Sequence, residues 1–177
     1  MSSIEVDKIV PATGTSLTLG DSGDTFTIPS GVTLTNSGTA SGFGKIGQVV
    51  SGVNSTFATT TSSTYSDTGL TQAITPSATS SKVLIIISAS LGNITSAKNN
   101  SARILRGSTE IEEYSRVSFN SAGHSDVQNS FVFLDSPSTT SSTTYKLQYK
   151  TDGGTLRFND NNISNPASTI TLMEVLA

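Results

Sequence analysis

The chain has 177 residues, of which 34% are hydrophobic and 13% charged, with a net charge of −3 and neither cysteine nor tryptophan. That length fits one domain of ordinary size, or one domain with a short appendage. The lack of cysteine excludes disulfides and thiolate metal sites, and the ten scattered Lys and Arg form no basic stripe, so nucleic acid is not an expected partner.

Ser and Thr together make up about a third of the residues, a polar composition in which Thr favours strands and Ser favours turns. The first ten residues place Glu5, Asp7 and Lys8 among their apolar side chains and so lack the core of a secretion signal. No run approaches membrane-spanning length, and membrane insertion is not expected. Ile4, Val6, Ile9 and Val10 make this segment a candidate docking element for another protein.

Three apolar-Thr-apolar triplets follow: Leu17-Thr18-Leu19, Phe26-Thr27-Ile28 and Val32-Thr33-Leu34. Residues two apart share a strand face, so each triplet presents two apolar side chains on one side and a Thr on the other. Turn-forming runs separate them, including Gly20 to Asp24 and Pro29-Ser30-Gly31. Three very short strands are expected. Residues 1–47 hold too few apolar side chains to bury a core alone, and association of identical chains is the expected remedy.

The glycine-rich Ser41 to Gly47 reads as a joint, and residues 48–177 as a second unit with longer strands. Strands are expected from Gln48 towards Phe57 and from Thr68 to Ile74. Lys82 to Leu91, with its unbroken Val83-Leu84-Ile85-Ile86-Ile87 core, reads as a central strand covered on both faces. No amphipathic helix is available to cover it, so a second sheet must. Arg106-Gly107-Ser108 turns a hairpin between Ala102–Leu105 and Thr109–Tyr114, and Phe131 to Leu134 is a second buried strand. Tyr145, Leu147 and Tyr149 alternate with Lys146, Gln148 and Lys150, then Asp152-Gly153-Gly154 leads to Leu156 and Phe158 in what reads as a further hairpin. Ser168 to Leu176 closes the chain with Ile170, Leu172 and Glu174 on one face. The count is eight or nine strands and no helix, which suits a jelly-roll-like antiparallel β-sandwich.

The single histidine, His124, lies in Gly123-His124-Ser125-Asp126 without a nucleophile elbow or a metal-ligand spacing. Glu112 and Glu113 are neighbours on a strand and point to opposite faces, so they are not a glycosidase pair with each other. No enzyme activity and no cofactor is expected. Loops at the ends of a sandwich carry recognition, which singles out Tyr114, Arg116 and His124, and the Asn159-Asp160-Asn161-Asn162 run, as candidate surface-contact residues.

Two stretches resemble phage virion fibres, in particular short tail-fibre proteins of marine phages. Leu17 to Gly44, LTLGDSGDTFTIPSGVTLTNSGTASGFG, is similar to their thin trimeric stems. Ile74 to Val83, Phe133-Leu-Asp-Ser-Pro and the terminal Ser168 to Val175 resemble the globular heads that such stems carry. The resemblance implies a homotrimer on the virion, assembled in the host cytoplasm. Its N-terminus would join other virion proteins and its head would touch a host-surface glycan or protein. Fibres of this kind are usually much longer, so a capsid decoration or head fibre is the alternative, and a polysaccharide depolymerase a more distant one.

Overall fold

The computed structural model describes residues 16, 20–33, 35, 45–95, 98–118, 125–160 and 166–176. The chain divides into two compact units, Met1–Phe43 and Gly44–Ala177. The division falls within the glycine-rich joint expected over Ser41 to Gly47, four residues before the boundary drawn between 47 and 48.

In the first unit the turns expected at Gly20 to Asp24 and at Pro29-Ser30-Gly31 are present. The Asp24 amide donates to the Asp21 carbonyl at 3.1 Å and the Val32 amide to the Pro29 carbonyl at 3.2 Å. Gly23 and Gly31 take the left-handed backbone that suits glycine, with φ of 101° and 87°. The expected strand at Phe26-Thr27-Ile28 is not formed within the chain. Three residues with no ladder beside them have nothing to hold them extended, and Phe26 and Val32 are left 68% and 59% exposed. The Leu17–Leu19 triplet, Leu34 and the docking candidates Ile4, Val6, Ile9 and Val10 lie outside the described residues.

The second unit is all-β, with ten strands and no helix among the described residues: β1 Ile46–Asn54, β2 Ala58–Thr60, β3 Ser66–Ile74, β4 Lys82–Asn93, β5 Asn100–Arg106, β6 Thr109–Ser115, β7 Ser125–Asp135, β8 Thr143–Thr151, β9 Leu156–Phe158 and β10 Ser168–Val175. Two antiparallel sheets form. One has the order β3-β8-β5-β6. The other is organised on β4, which pairs along one edge with β10 over Lys82–Ser88 and then β9 over Leu91–Asn93, and along its other edge with β7. β1 lies outside β10 and β2 outside β9.

The central strand differs from expectation in one respect. Val83, Ile85, Ile87, Ala89 and Leu91 are fully buried, whereas Leu84 and Ile86 point away from the core and are half-buried. The unbroken apolar run masked an alternation: the odd-numbered residues face the other sheet and the even-numbered ones face outward. The expected hairpin at Asp152-Gly153-Gly154 is also corrected. β8 belongs to one sheet and β9 to the other, so that turn carries the chain across the core.

Facing Ile85, Ile87 and Leu91, the second sheet supplies Leu70, Ile104, Tyr145, Leu147 and Tyr149, all almost wholly buried. Tyr149 meets Phe158 with ring centroids 6.3 Å apart. Burial of this kind stabilises by about 1.5–3 kcal/mol for each large apolar side chain.

Polar side chains close both ends of the core. At one end, Glu174, Val83 and Asp135 lie abreast on β10, β4 and β7. Glu174 accepts hydrogen bonds from the Ser77 amide at 2.6 Å, the Ser77 hydroxyl at 2.6 Å and the Gln48 side-chain amide at 2.8 Å. Asp135 accepts from Arg106 Nη1 at 2.9 Å on each oxygen and from the Tyr145 hydroxyl at 2.7 Å. At the other end, Asn93 donates to Asn100 Oδ1 at 2.8 Å, and Asn100 donates to the Ser118 carbonyl at 2.6 Å. A buried polar group without a partner costs one to a few kcal/mol, so these networks let the sandwich end in polar residues.

Candidate functional site

The described candidate residues fall into three environments. Tyr114, on β6, is half-buried, with its ring 4.7 Å from that of Phe131 and its hydroxyl donating to the Val132 carbonyl at 3.1 Å. It therefore ties β6 of one sheet to β7 of the other. Burial first, then the nearby Glu112 charge, raises the pKa of its hydroxyl. Arg116 follows β6 and is exposed, in the left-handed region at φ 61°.

Asn159 and Asp160 are not surface recognition residues. Asn159 is fully buried at φ 53°, and its amide donates to the Asn54 carbonyl at 2.7 Å while its carbonyl oxygen accepts from Ser168 Oγ at 2.6 Å. Asp160, 3% exposed, is ion-paired with Arg157. The turn preference of Asn and Asp predicts a polar loop there. In the fold the same preference serves a buried corner, where the short amide tolerates a left-handed backbone and bonds locally. Asn161, Asn162 and His124 lie outside the described residues.

The outer face of the β3-β8-β5-β6 sheet carries a charged network that the sequence reading did not single out. Its centre is Tyr65, just before β3. The Arg103 guanidinium lies 4.1 Å and the Lys150 ammonium 4.2 Å from the centre of its ring. The Tyr65 hydroxyl donates to Glu113 Oε1 at 2.6 Å. Arg103 also reaches Glu110 at 2.6 Å and Gln148 at 2.8 Å, and Asp67 takes a hydrogen bond from Gln148 at 2.7 Å and an ion pair from Lys146 at 3.0 Å.

A bulge makes this possible. Ile104 faces Glu112 while Leu105 faces Glu110, so Ile111 is the extra residue and Glu110 and Glu113 both reach towards Arg103. The alternation of Lys146, Gln148 and Lys150 announced the cationic half of this face. The bulge that aligns the acidic half has no comparable sequence signal.

No protein-family model and no curated protein matches the chain. Within the network the Tyr65 hydroxyl holds the Glu113 carboxyl below its ordinary value, helped by Lys150 and Arg103. At Asp67 burial pushes the carboxyl up, and the hydrogen bonds from Gln148 and Lys146 outweigh it. Burial, reinforced by Glu113, raises the pKa of the Tyr65 phenol. Carboxylates held ionised accept hydrogen bonds, whereas a general acid for glycoside cleavage needs a raised pKa. This face suits hydrogen-bonding to a polar surface. Among the described residues, no group of three His, Asp or Glu side chains is placed to hold a metal ion.

The loops divide between the two ends of the sandwich. The chain enters the second unit at the Glu174 end: Ile46 lies opposite Val175, and the Leu176 amide donates to the Lys45 carbonyl at 2.7 Å. Arg116 and the turn at Asp152 to Thr155 lie at the opposite, Asn93 end. There the Val117 amide donates to the Asn100 carbonyl and the Asp152 amide to the Asn99 carbonyl, each at 3.0 Å. The twelve residues of β4 separate the two ends by about 40 Å.

Proposed function

We propose that this chain is a structural virion fibre protein of a phage, a homotrimer that joins the particle through its N-terminal segment and meets the host surface with its sandwich head. The observation that carries this reading is the polarity of the head. The chain enters at one end, and Arg116 with the neighbouring turns stands at the other. A part built to be held at one end and to touch at the other needs that arrangement. The first unit adds to it, because Phe26 and Val32 stand 68% and 59% exposed and identical neighbours would supply both cover and strand partners.

We read the head as a jelly roll. The path β1-β10-β4-β7 in one sheet and β3-β8-β5-β6 in the other supports this reading, since two interleaved Greek keys would give that order, with β2 and β9 as short additions. Among the described residues, the host-facing end offers backbone groups, amides, the exposed Arg116 guanidinium, the Asp152 carboxylate and Lys98, a surface for glycan hydroxyls or a polar protein patch.

The test is immunogold electron microscopy, with antibody against the full chain applied to virions whose genome encodes it. Label on the tail supports the tail-fibre reading. Label spread over the capsid selects a decoration or head fibre. Particles that carry no label while the free protein is recognised would overturn the reading.

A further inference from the structure

The two outer faces of the sandwich are chemically opposite. One carries the Tyr65 network with its three cations and three carboxylates. On the other, strand register builds a row in which Val49, Met173, Leu84 and Leu134 lie side by side across β1, β10, β4 and β7. The next row is Ser51, Thr171, Ile86 and Val132, and the third is Val53, Thr169, Ser88 and Ser130. Val49, Val53, Val132 and Leu134 are 54%, 67%, 56% and 47% exposed. Over the block from Lys82 to Ser88 and its partners, Lys82 at one end is the single charged side chain among the described residues of this face.

We propose that this face is where copies of the chain pack their heads together around a common axis. The proposal rests on the homotrimer reading above and locates its head contact. Two properties select a second copy as the occupant. The first is charge. The molecule carries a net charge of −3, so identical copies repel on the whole, and this face, whose one charge among the described residues is Lys82 at its end, is where they can meet with few like charges opposed. Its polar members are hydroxyls, which both donate and accept and so match their own copies, as Ser51 and Thr171 do at 3.3 Å within the chain.

The second property is area. Four strands about 4.8 Å apart over about 20 Å of strand give a patch near 400 Å², against about 800 Å² per partner in a standard stable complex. Half an ordinary interface does not hold two heads together alone. It suits a contact whose partners are already tethered, as they are when the same chains also associate through residues 1–43.

The chain has no cysteine, so engineered ones report contacts cleanly. The experiment uses the full chain with single Val132→Cys or Leu134→Cys substitutions, a short bismaleimide crosslinker, and Ser142→Cys, exposed elsewhere, as control. Leu134→Glu is measured in parallel, at a position already 47% exposed, so that the fold is expected to survive; circular dichroism verifies this. The expected result is interchain crosslinking at 132 and 134 at least ~10-fold above 142, and crosslinking at 132 at least ~10-fold weaker once Leu134→Glu is added. A trimer by light scattering whose face cysteines crosslink no better than Ser142→Cys would overturn the proposal and leave the trimer reading standing. The same result would follow if residues 1–43 or another protein cover the face. A monomeric wild type would overturn both.

Discussion

Glu174→Gln is the most informative single substitution in the head. The carboxylate is 1% exposed and gathers three donors from β1 and the β3–β4 connection, so it fastens that connection to β10. An amide keeps the volume but turns one acceptor into a donor, which then opposes either the Ser77 amide and hydroxyl or the Gln48 amide. Losing a charge-assisted bond and opposing one or two donors costs about 2–3 kcal/mol. For a chain of this size that lowers the melting temperature by roughly 4–12 °C.

The pH dependence has a definite sign. Burial pushes the Glu174 carboxyl up, but the hydrogen bonds from Gln48 and Ser77 overcome it and bring the group down to about 2 from 4.5. A depressed carboxyl stabilises fully above its unfolded value, so this contribution is intact at neutral pH and is lost as pH falls from about 4.5 through 2. Wild type and variant, melted at equal chain concentration because assembly shifts the midpoint, should differ most above pH 5 and converge near pH 2. A variant melting within ~1 °C of wild type at pH 7, with the same decline in acid, would refute the reasoning.

Three further substitutions separate buried from surface roles. Asn159→Ala removes the buried amide's hydrogen bonds to Asn54, Thr56 and Ser168 and leaves a left-handed backbone on a residue that resists it, so the urea midpoint should fall by the equivalent of about 2–4 kcal/mol; an unchanged midpoint would return Asn159 to the surface. A Cβ at Gly52 would lie 2.9 Å from the Thr71 carbonyl oxygen and 3.3 Å from Ile170 Cγ2, where the two sheets come together. Gly52→Ala should therefore destabilise by about 1–3 kcal/mol in chemical denaturation, and a neutral effect would mean the corner yields. Tyr65→Phe keeps the ring between its cations and loses only a hydrogen bond on a solvated face, so less than about 1 kcal/mol of stability should go; a larger loss would show that the network fastens the sheet.

The strands were legible where apolar and polar residues alternate, as in Tyr145 to Lys150, and where turns are marked, as at Arg106-Gly107-Ser108. The central strand was found, but its one-sided burial was not, because five apolar residues in a row carry no face information. Leu84 and Ile86 could be told from Val83 and Ile85 only by what lies opposite. The turn at Asp152-Gly153-Gly154 was recognised and its partner strand misassigned, since a turn motif fixes a change of direction and not which sheet receives the chain. At the surface, composition located the loop at Asn159 but could not separate an amide that faces water from one that bonds a buried corner. The Tyr65 network depends on a one-residue bulge that sets Glu110 and Glu113 on one side, and it became visible only with the register of β5 and β6.

The central claim is that three copies of this chain form the functional unit. The mass of the full chain in solution, measured by light scattering at micromolar concentration, tests it directly. A homotrimer of an 18.3 kDa chain gives about 55 kDa, and that is the expected value. A monodisperse species at the mass of one chain would contradict the fibre account.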